Sequence, residues 1–390
     1  MKIFDEYQEK LAARKAMGLY RQRRVLESPQ GARVTVEGRE LLNFCSNDYL
    51  GLANHPALIE AAQAGAARWG VGSGAAHLVC GHFAVHEAFE QRFAAWVGLP
   101  AALSFSTGYM ANLAVITALA GRGDTVFADK LNHASLNDAV QLSRAHFRRY
   151  AHNDLAALER LLAASTSGRK LIVSDSVFSM DGDFAPLAGL LELAERYDAL
   201  LYLDDAHGFG VLGHGRGALA EFGLVSRRIV YMATLGKAAG VAGAAVAADP
   251  VVIDWLINQA RPYIYTTAAP PMLAQALLAS LDLIESEAWR RERLAAHIAL
   301  FRQMLAPFAD RLIDSATPIQ PVLMRDNASA LALSAALKAA GFWVAAIRPP
   351  TVPTPRLRVT LSAAHTSEDV AALAACLVKL LKDDLLKEGA

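Results

Sequence analysis

Three clusters of polar residues each close an apolar run in this chain of 390 residues, and together they hold the parts of one chemistry. Ser106-Thr107-Gly108-Tyr109 follows the run AALSF and opens a helical stretch through Asn112. Unpaired backbone amides and the helix dipole at such a turn attract an anion, and phosphate is its natural guest. Asp204-Asp205-Ala206-His207 follows LLYL, placing two carboxylates and an imidazole where a buried strand ends. An unpaired buried charge is costly, so one carboxylate is expected to meet a cation. Thr234-Leu235-Gly236-Lys237 follows IVYM in an apolar, glycine-rich setting. Desolvation lowers a lysine's pKa and favours the neutral amine that forms Schiff bases. Each cluster alone has a structural alternative: Thr107 as an ordinary helix cap, Asp204 as a turn cap with His207 packed in the core, Lys237 as a surface lysine. Taken together, an anion turn, an acid and a lysine are what pyridoxal 5'-phosphate needs for its phosphate, its ring nitrogen and its aldehyde.

Other motifs lead elsewhere and fail. GVGSGA, beginning at Gly70, satisfies a loose nucleotide-loop pattern, but a helix precedes it where the dinucleotide fingerprint requires a strand. His82 and His86 stand four apart beside Glu87, yet the zinc-hydrolase motif needs its glutamate where Phe83 stands, so no metal is expected. Gly236-Lys237 lacks the upstream glycine and the following Ser or Thr of a phosphate-binding P-loop.

The elements that must carry these residues follow from the pattern of apolar runs. AALSF before Ser106, TVFA from Thr125, LIVS from Leu171, LLYL from Leu200, IVYM from Ile229 and GAAVA from Gly243 alternate with helical stretches. Continuous apolar runs separated by helices indicate strands covered on both faces, hence an α/β fold with a mostly parallel sheet and functional groups at strand ends. Residues 1–50 read as a small N-terminal segment, with a charged helix over 4–24 and a hairpin over 33–42. Residues 51–285 form the large α/β domain, and 286–390 a small C-terminal α+β domain. A long helix is expected to begin near Met272 and run past Arg293, linking the two. Apolar residues at 54% against 19% charged allow a large core. Equal counts of 38 basic and 38 acidic residues leave no field to draw the chain to nucleic acid or to a membrane surface. The uncharged stretch between Arg92 and Arg122 is interrupted by Gly98, Pro100 and Asn112, so it reads as strand, turn and buried helix. Three scattered cysteines and a charged N-terminus without an apolar core fit a cytoplasmic protein.

The order of anion turn, acid and lysine resembles the fold-type I pyridoxal-phosphate transferases, the aspartate-aminotransferase-like superfamily. The resemblance narrows to the α-oxoamine synthases on NFCSNDYLGL from Asn43, NHAS from Asn132, SVFSMDGD from Ser176, DDAHG from Asp204 and TLGK from Thr234, and it spans nearly the whole chain. AIRPPTVP from Ala346 and LSAAHT from Leu361 are most similar to the branch that serves biotin biosynthesis. The chain departs from the family at Ala75-Ala76-His77 and at His82-Phe83, on the rim of the acyl pocket.

That resemblance implies a decarboxylative Claisen condensation of L-alanine with a pimeloyl group carried on CoA or on a carrier protein. Sibling enzymes use glycine instead, as in 2-amino-3-ketobutyrate CoA ligase or 5-aminolevulinate synthase, and one branch holds catalytically silent scaffold members that lack the lysine. It implies that Lys237, His133 and Asp204 are catalytic. His133 stacks on the cofactor ring, Asp204 holds its nitrogen protonated, and Ser179 and His207 bond its phenolic oxygen. Gly108 and Tyr109 contact the cofactor through backbone, Thr234 reaches its phosphate, and Thr266 or Thr267 reaches the phosphate of a second subunit in a homodimer with shared sites. Arg348 and Thr351 are the expected contacts for substrate carboxylate, with Asn47 nearby and Arg21 at the acyl entrance, and Asn47 or Arg358 is next in line should Arg348 not bind it.

Overall fold

The computed structural model describes residues 2–166 and 168–388. Helix Lys2–Ala16 opens the chain, and none of its residues is buried. It stops short of the expected Arg24 because Gly18 turns the backbone to a φ of 66°, the left-handed conformation that ends helices. Strands β1 (Arg33–Val36) and β2 (Arg39–Asn43) pair antiparallel across Glu37 and Gly38. Both turn residues have positive φ, as a tight two-residue hairpin requires.

A seven-stranded sheet forms the centre: β3 (Ala101–Phe105), β4 (Thr125–Asp129), β5 (His146–Tyr150), β6 (Lys170–Asp175), β7 (Ala199–Asp204), β8 (Ile229–Thr234) and β9 (Ala244–Ala248). Its order is β3-β9-β8-β7-β6-β4-β5. β9 runs antiparallel to both neighbours and every other pair is parallel. β5 reads HFRRY and was not legible as a strand from apolar runs. As the edge strand it pairs only with β4 and keeps its arginines in water, burying only Tyr150 and, in part, Phe147, too few for a continuous apolar run. Side chains of β7 alternate between two cores. Leu201 and Leu203 pack on one side with Phe93 and Tyr231, while Tyr202 packs on the other with Val115 and Val230.

Beyond the sheet, the expected single long helix is two, Pro271–Ser286 and Trp289–Met304. Glu287 leaves helical geometry at the break. The Arg290 guanidinium bonds Glu287 (2.5 Å) and donates to the carbonyl of Leu50 (2.9 Å), which anchors the start of the second helix. Strands β10 (Ile319–Leu323), β11 (Phe342–Trp343), β12 (Ala345–Ile347) and β13 (Arg356–Thr360) follow, with sheet order β10-β13-β12. β11 joins β2 in parallel instead, so the N-terminal hairpin and the C-terminal region share a sheet. Among the described residues no helix is long and apolar enough to cross a membrane.

Candidate active site

The carboxyl ends of the parallel strands gather the predicted groups. β6 and β7 end in register at Asp175 and Asp204, β8 ends at Thr234, and Lys237 follows in the turn toward β9. Thr107 caps helix Gly108–Leu119, its hydroxyl accepting from the Met110 amide at 3.1 Å. Gly108 must be glycine: a Cβ there would stand 2.4 Å from Thr234 Cγ2. The close approach brings the first amides of the helix against Thr234, forming a cradle for an anion.

Asp204 is buried and points to the side of Tyr202. Asn112 Nδ2 donates to it at 2.8 Å and the Ala206 amide at 3.0 Å. Asn112 is itself oriented by the Tyr202 hydroxyl at 2.6 Å. Both of its hydrogen-bond donors are neutral, and the expected cation, Lys237, acts on it through its charge and not through a bond among the described residues. Asp204 also caps its turn through Ala206, as the structural reading of this residue expects.

His133 caps helix Ala134–Ser143, bonding Ser135 Oγ through Nδ1 at 2.7 Å, while its amide donates to Asp175 at 2.7 Å. Burial lowers its pKa, partly opposed by the charge of Asp204. Burial, then Asp204 beside it, raises Asp175 well above the ordinary carboxylate range. Burial likewise lowers Lys237, favouring the neutral amine, against the fields of Asp204 and Asp175. His207 is buried against Tyr49, whose hydroxyl lies 2.5 Å from its Nδ1. Burial, then Lys237, holds His207 neutral, with its pKa well below the usual value.

Arg358, which the sequence reading offers with Asn47 only as the alternative to Arg348 for the substrate carboxylate, lies against this cluster. It is buried on β13, donates to the Ser179 carbonyl (2.7 Å) and to Asn47 Oδ1 (3.1 Å), and its charge acts on both Lys237 and His207. Arg348 sits elsewhere. It bonds the Gly18 carbonyl and lines a cleft of about 330 Å³ with Arg14, Arg21 and Thr351. A neighbouring cleft of about 750 Å³ is lined by Arg21 and Thr351 on one side and by His133 and Ser179 on the other, joining the expected acyl entrance to the strand-end cluster. Tyr109 is half exposed and bonds Asp138 through its hydroxyl, leaving backbone as its contribution to the cradle. Thr266 and Thr267 lie on a loop held to residue 75 by the Ala268 amide (3.0 Å), with Thr267 exposed.

Asp175 and Asn112 were missed. Asp175 carries the same signal as Asp204, an acid closing an apolar strand run, and register on the parallel sheet is what brings the two together.

The pattern of aminotransferase class I and II matches residues 39–377. The chain belongs to that family. Within the family, it is 60% identical over 378 residues to an 8-amino-7-oxononanoate synthase of Nitrosospira multiformis, covering 96% of each chain. It is 62% identical over 366 residues to one of Thiobacillus denitrificans, covering 93% of this chain and 95% of the other. Among solved structures it is similar to a variant of serine palmitoyltransferase from S. paucimobilis with bound PLP–myriocin, at a TM-score of 0.92, 28% identity and 98% coverage of both chains. An 8-amino-7-oxononanoate synthase from Francisella tularensis matches at a TM-score of 0.78 and 32% identity, over 88% of this chain and 99% of that one. The family has the fold-type I architecture and uses pyridoxal phosphate. The donor set here fits that group: a cradle of helix amides closed by Thr234, a buried carboxylate for the ring nitrogen, imidazoles at His133 and His207, and a desolvated lysine.

Proposed function

We infer that the protein condenses L-alanine with a pimeloyl thioester, releasing the thiol and carbon dioxide to give 8-amino-7-oxononanoate for biotin biosynthesis. The observation that carries this reading is the convergence of Lys237, Asp204, His133 and His207 at the strand ends, in a chain whose relatives of about 60% identity bear that name.

Bound pyridoxal phosphate supplies the electron sink that makes the alanine Cα–H acidic. Lys237 Nζ holds the cofactor and then takes the Cα proton, a role suited to an amine whose proton affinity burial has lowered. Asp204 keeps a proton on the ring nitrogen. Gly108 and Tyr109 offer amides and Thr234 a hydroxyl to the phosphate, while Ser179 and His207 serve the phenolic oxygen. His133 would face the cofactor ring and would offer its imidazole to the charge that develops on the thioester oxygen.

For the substrate carboxylate, we assign Arg358 with Asn47 rather than the expected Arg348. Its buried guanidinium lies in the field of Lys237, and a fork of two parallel donors orients a carboxylate and so the Cα–H bond. Arg21, Arg348 and Thr351, around the outer clefts, then receive the acyl partner, whether CoA-borne or held on a transient carrier protein. Thr266 and Thr267, on their partly exposed loop, are proposed to reach the phosphate in a second subunit of a homodimer, and the enzyme is proposed to work in the cytoplasm.

Thiol release measured with alanine and with glycine across a series of acyl-CoA chain lengths tests the reading. Preference for alanine and the pimeloyl chain supports it. Preference for glycine with acetyl- or succinyl-CoA would make the chain a sibling enzyme.

A further inference from the structure

One cluster of imidazoles lies outside the chemistry above. The single π-turn His77–Gly81 leads through His82 into helix Ala84–Val97 and folds back so that His77, His82 and His86 bring their ring nitrogens within 4.8 Å of one another. Sequence spacing pairs His82 with His86, but the fold pairs His82 with His77. Their Nδ1 atoms face each other at 2.8 Å. Two nitrogens on one tetrahedral ion, each at ~2.0–2.1 Å, stand on the order of 3.4 Å apart, so opening this pair by about half an ångström seats an ion between them.

Both rings are already held. His82 Nε2 lies 3.2 Å from Glu87 Oε2, the carboxylate-behind-histidine arrangement that fixes a ligand ring and leaves its other nitrogen free to bind. His77 is stacked on Tyr263, with ring centres 4.9 Å apart and planes at 10°. His86 is different. Its Nδ1 accepts from the Phe83 amide (3.1 Å) and its Nε2 donates to the Ala269 carbonyl (3.0 Å), so both nitrogens are engaged and it forms a wall of the site.

We propose that His77 and His82 form a site for a divalent transition-metal ion of the zinc class, bound through their two Nδ1 atoms, with Glu87 behind His82 and water completing the coordination on the exposed side. With Glu87 accepting from His82 Nε2–H, the proton shared by the two Nδ1 atoms belongs to His77. On binding, His77 moves that proton to its own Nε2, and no net proton is released. Both rings remain neutral, as imidazole ligands must be. The turn that carries the site is tied to residues 268–269 by the Ala268 amide on Ala75 and by Ser73 Oγ on Ala269, so an ion here would brace it against the loop of Thr266 and Thr267.

The experiment uses the holoenzyme, with Zn2+ in titration calorimetry and Cu2+ as a paramagnetic probe. One ion per chain is expected, with a nitrogen hyperfine pattern from two imidazoles. His82→Ala and His77→Phe, the latter keeping a ring on Tyr263, should each weaken binding at least ~100-fold, and Glu87→Gln by ~10-fold as for a lost outer partner. His146→Ala, on the edge strand, should change nothing. Absence of stoichiometric binding, or unchanged affinity in His82→Ala, overturns the site. Because His82 is largely at the surface, that variant decides the question even if His77→Phe does not fold.

Discussion

Asp204 and Asp205 are neighbours in sequence at the end of one strand, and the sheet sends them to opposite sides. Asp204 faces the helix that begins at Gly108, takes two neutral donors, and shares its surroundings with His133, Asp175 and Lys237. Asp205 faces the other core. It is bonded by the Ser176 hydroxyl, by Tyr231 at 2.6 Å and by the Ala218 amide at 2.8 Å, and burial raises its pKa to about 6. The same side chain, one residue apart, is the proposed chemical group on one face and a tie between loop and strand on the other. Neither composition nor motif separates them. What does is strand alternation combined with what each face packs against.

The largest expected effect anchors the chemical side of this contrast. Lys237→Ala should lose condensation by ~10⁴-fold or more, the upper range for a positioned proton-transfer group, and borohydride should no longer fix pyridoxal phosphate to the chain. A colourless wild-type protein that stays unlabelled after reconstitution would break the assignment. Next, Asp204→Asn should lower kcat by ~10²–10³-fold, the scale of one preorganised electrostatic partner, with little change in the denaturant midpoint. Asp205→Asn should show the reverse pattern: kcat within about tenfold of wild type, and stability lower by about 1–3 kcal/mol as its donors lose a charged acceptor. Equal kinetic losses in the two variants would erase the distinction.

The arginines sharpen it further. Arg358→Lys keeps the charge and loses the fork, so kcat/KM for alanine should fall by ~10–100-fold, whereas Arg348→Lys should move the alanine Michaelis constant by less than about twofold and act on the acyl thioester instead. The opposite result would return the amino acid's carboxylate to Arg348.

How much of this was legible without coordinates follows the range of the interactions. The anion turn, Asp204 and Lys237 each announce themselves within a few residues, because an apolar strand followed by a polar turn is a local pattern. The mostly parallel sheet follows from the same runs. Arg358 stood only as the alternative to Arg348, because Arg356-Leu357-Arg358 reads as ordinary alternation. Its proximity to Lys237 depends on contacts from β13 to Ser179 and Asn47 that no local pattern encodes. The helix break at Glu287 escaped for a similar reason, since its anchor, the Leu50 carbonyl, lies far away in sequence.

The shared sheet of β2 and β11 has a consequence for how the chain is made. The Leu42 amide donates to the Gly341 carbonyl, the Thr360 amide to Phe44 and the Ala363 amide to Tyr49. On the ribosome, where N-terminal portions emerge first, the segment around Asn47 waits some three hundred residues for these backbone partners, although Tyr49 meets His207 sooner. The strands bearing Asp204 and Lys237 can assemble during that interval. The Asn47–Arg358 contact must form late, across one of the longest loop closures in the molecule. Chains released early would therefore carry the lysine and its acid without the bridge assigned to the amino acid's carboxylate. Pulse-labelled nascent chains stalled before and after residue 363 should differ in protease protection of residues 40–50.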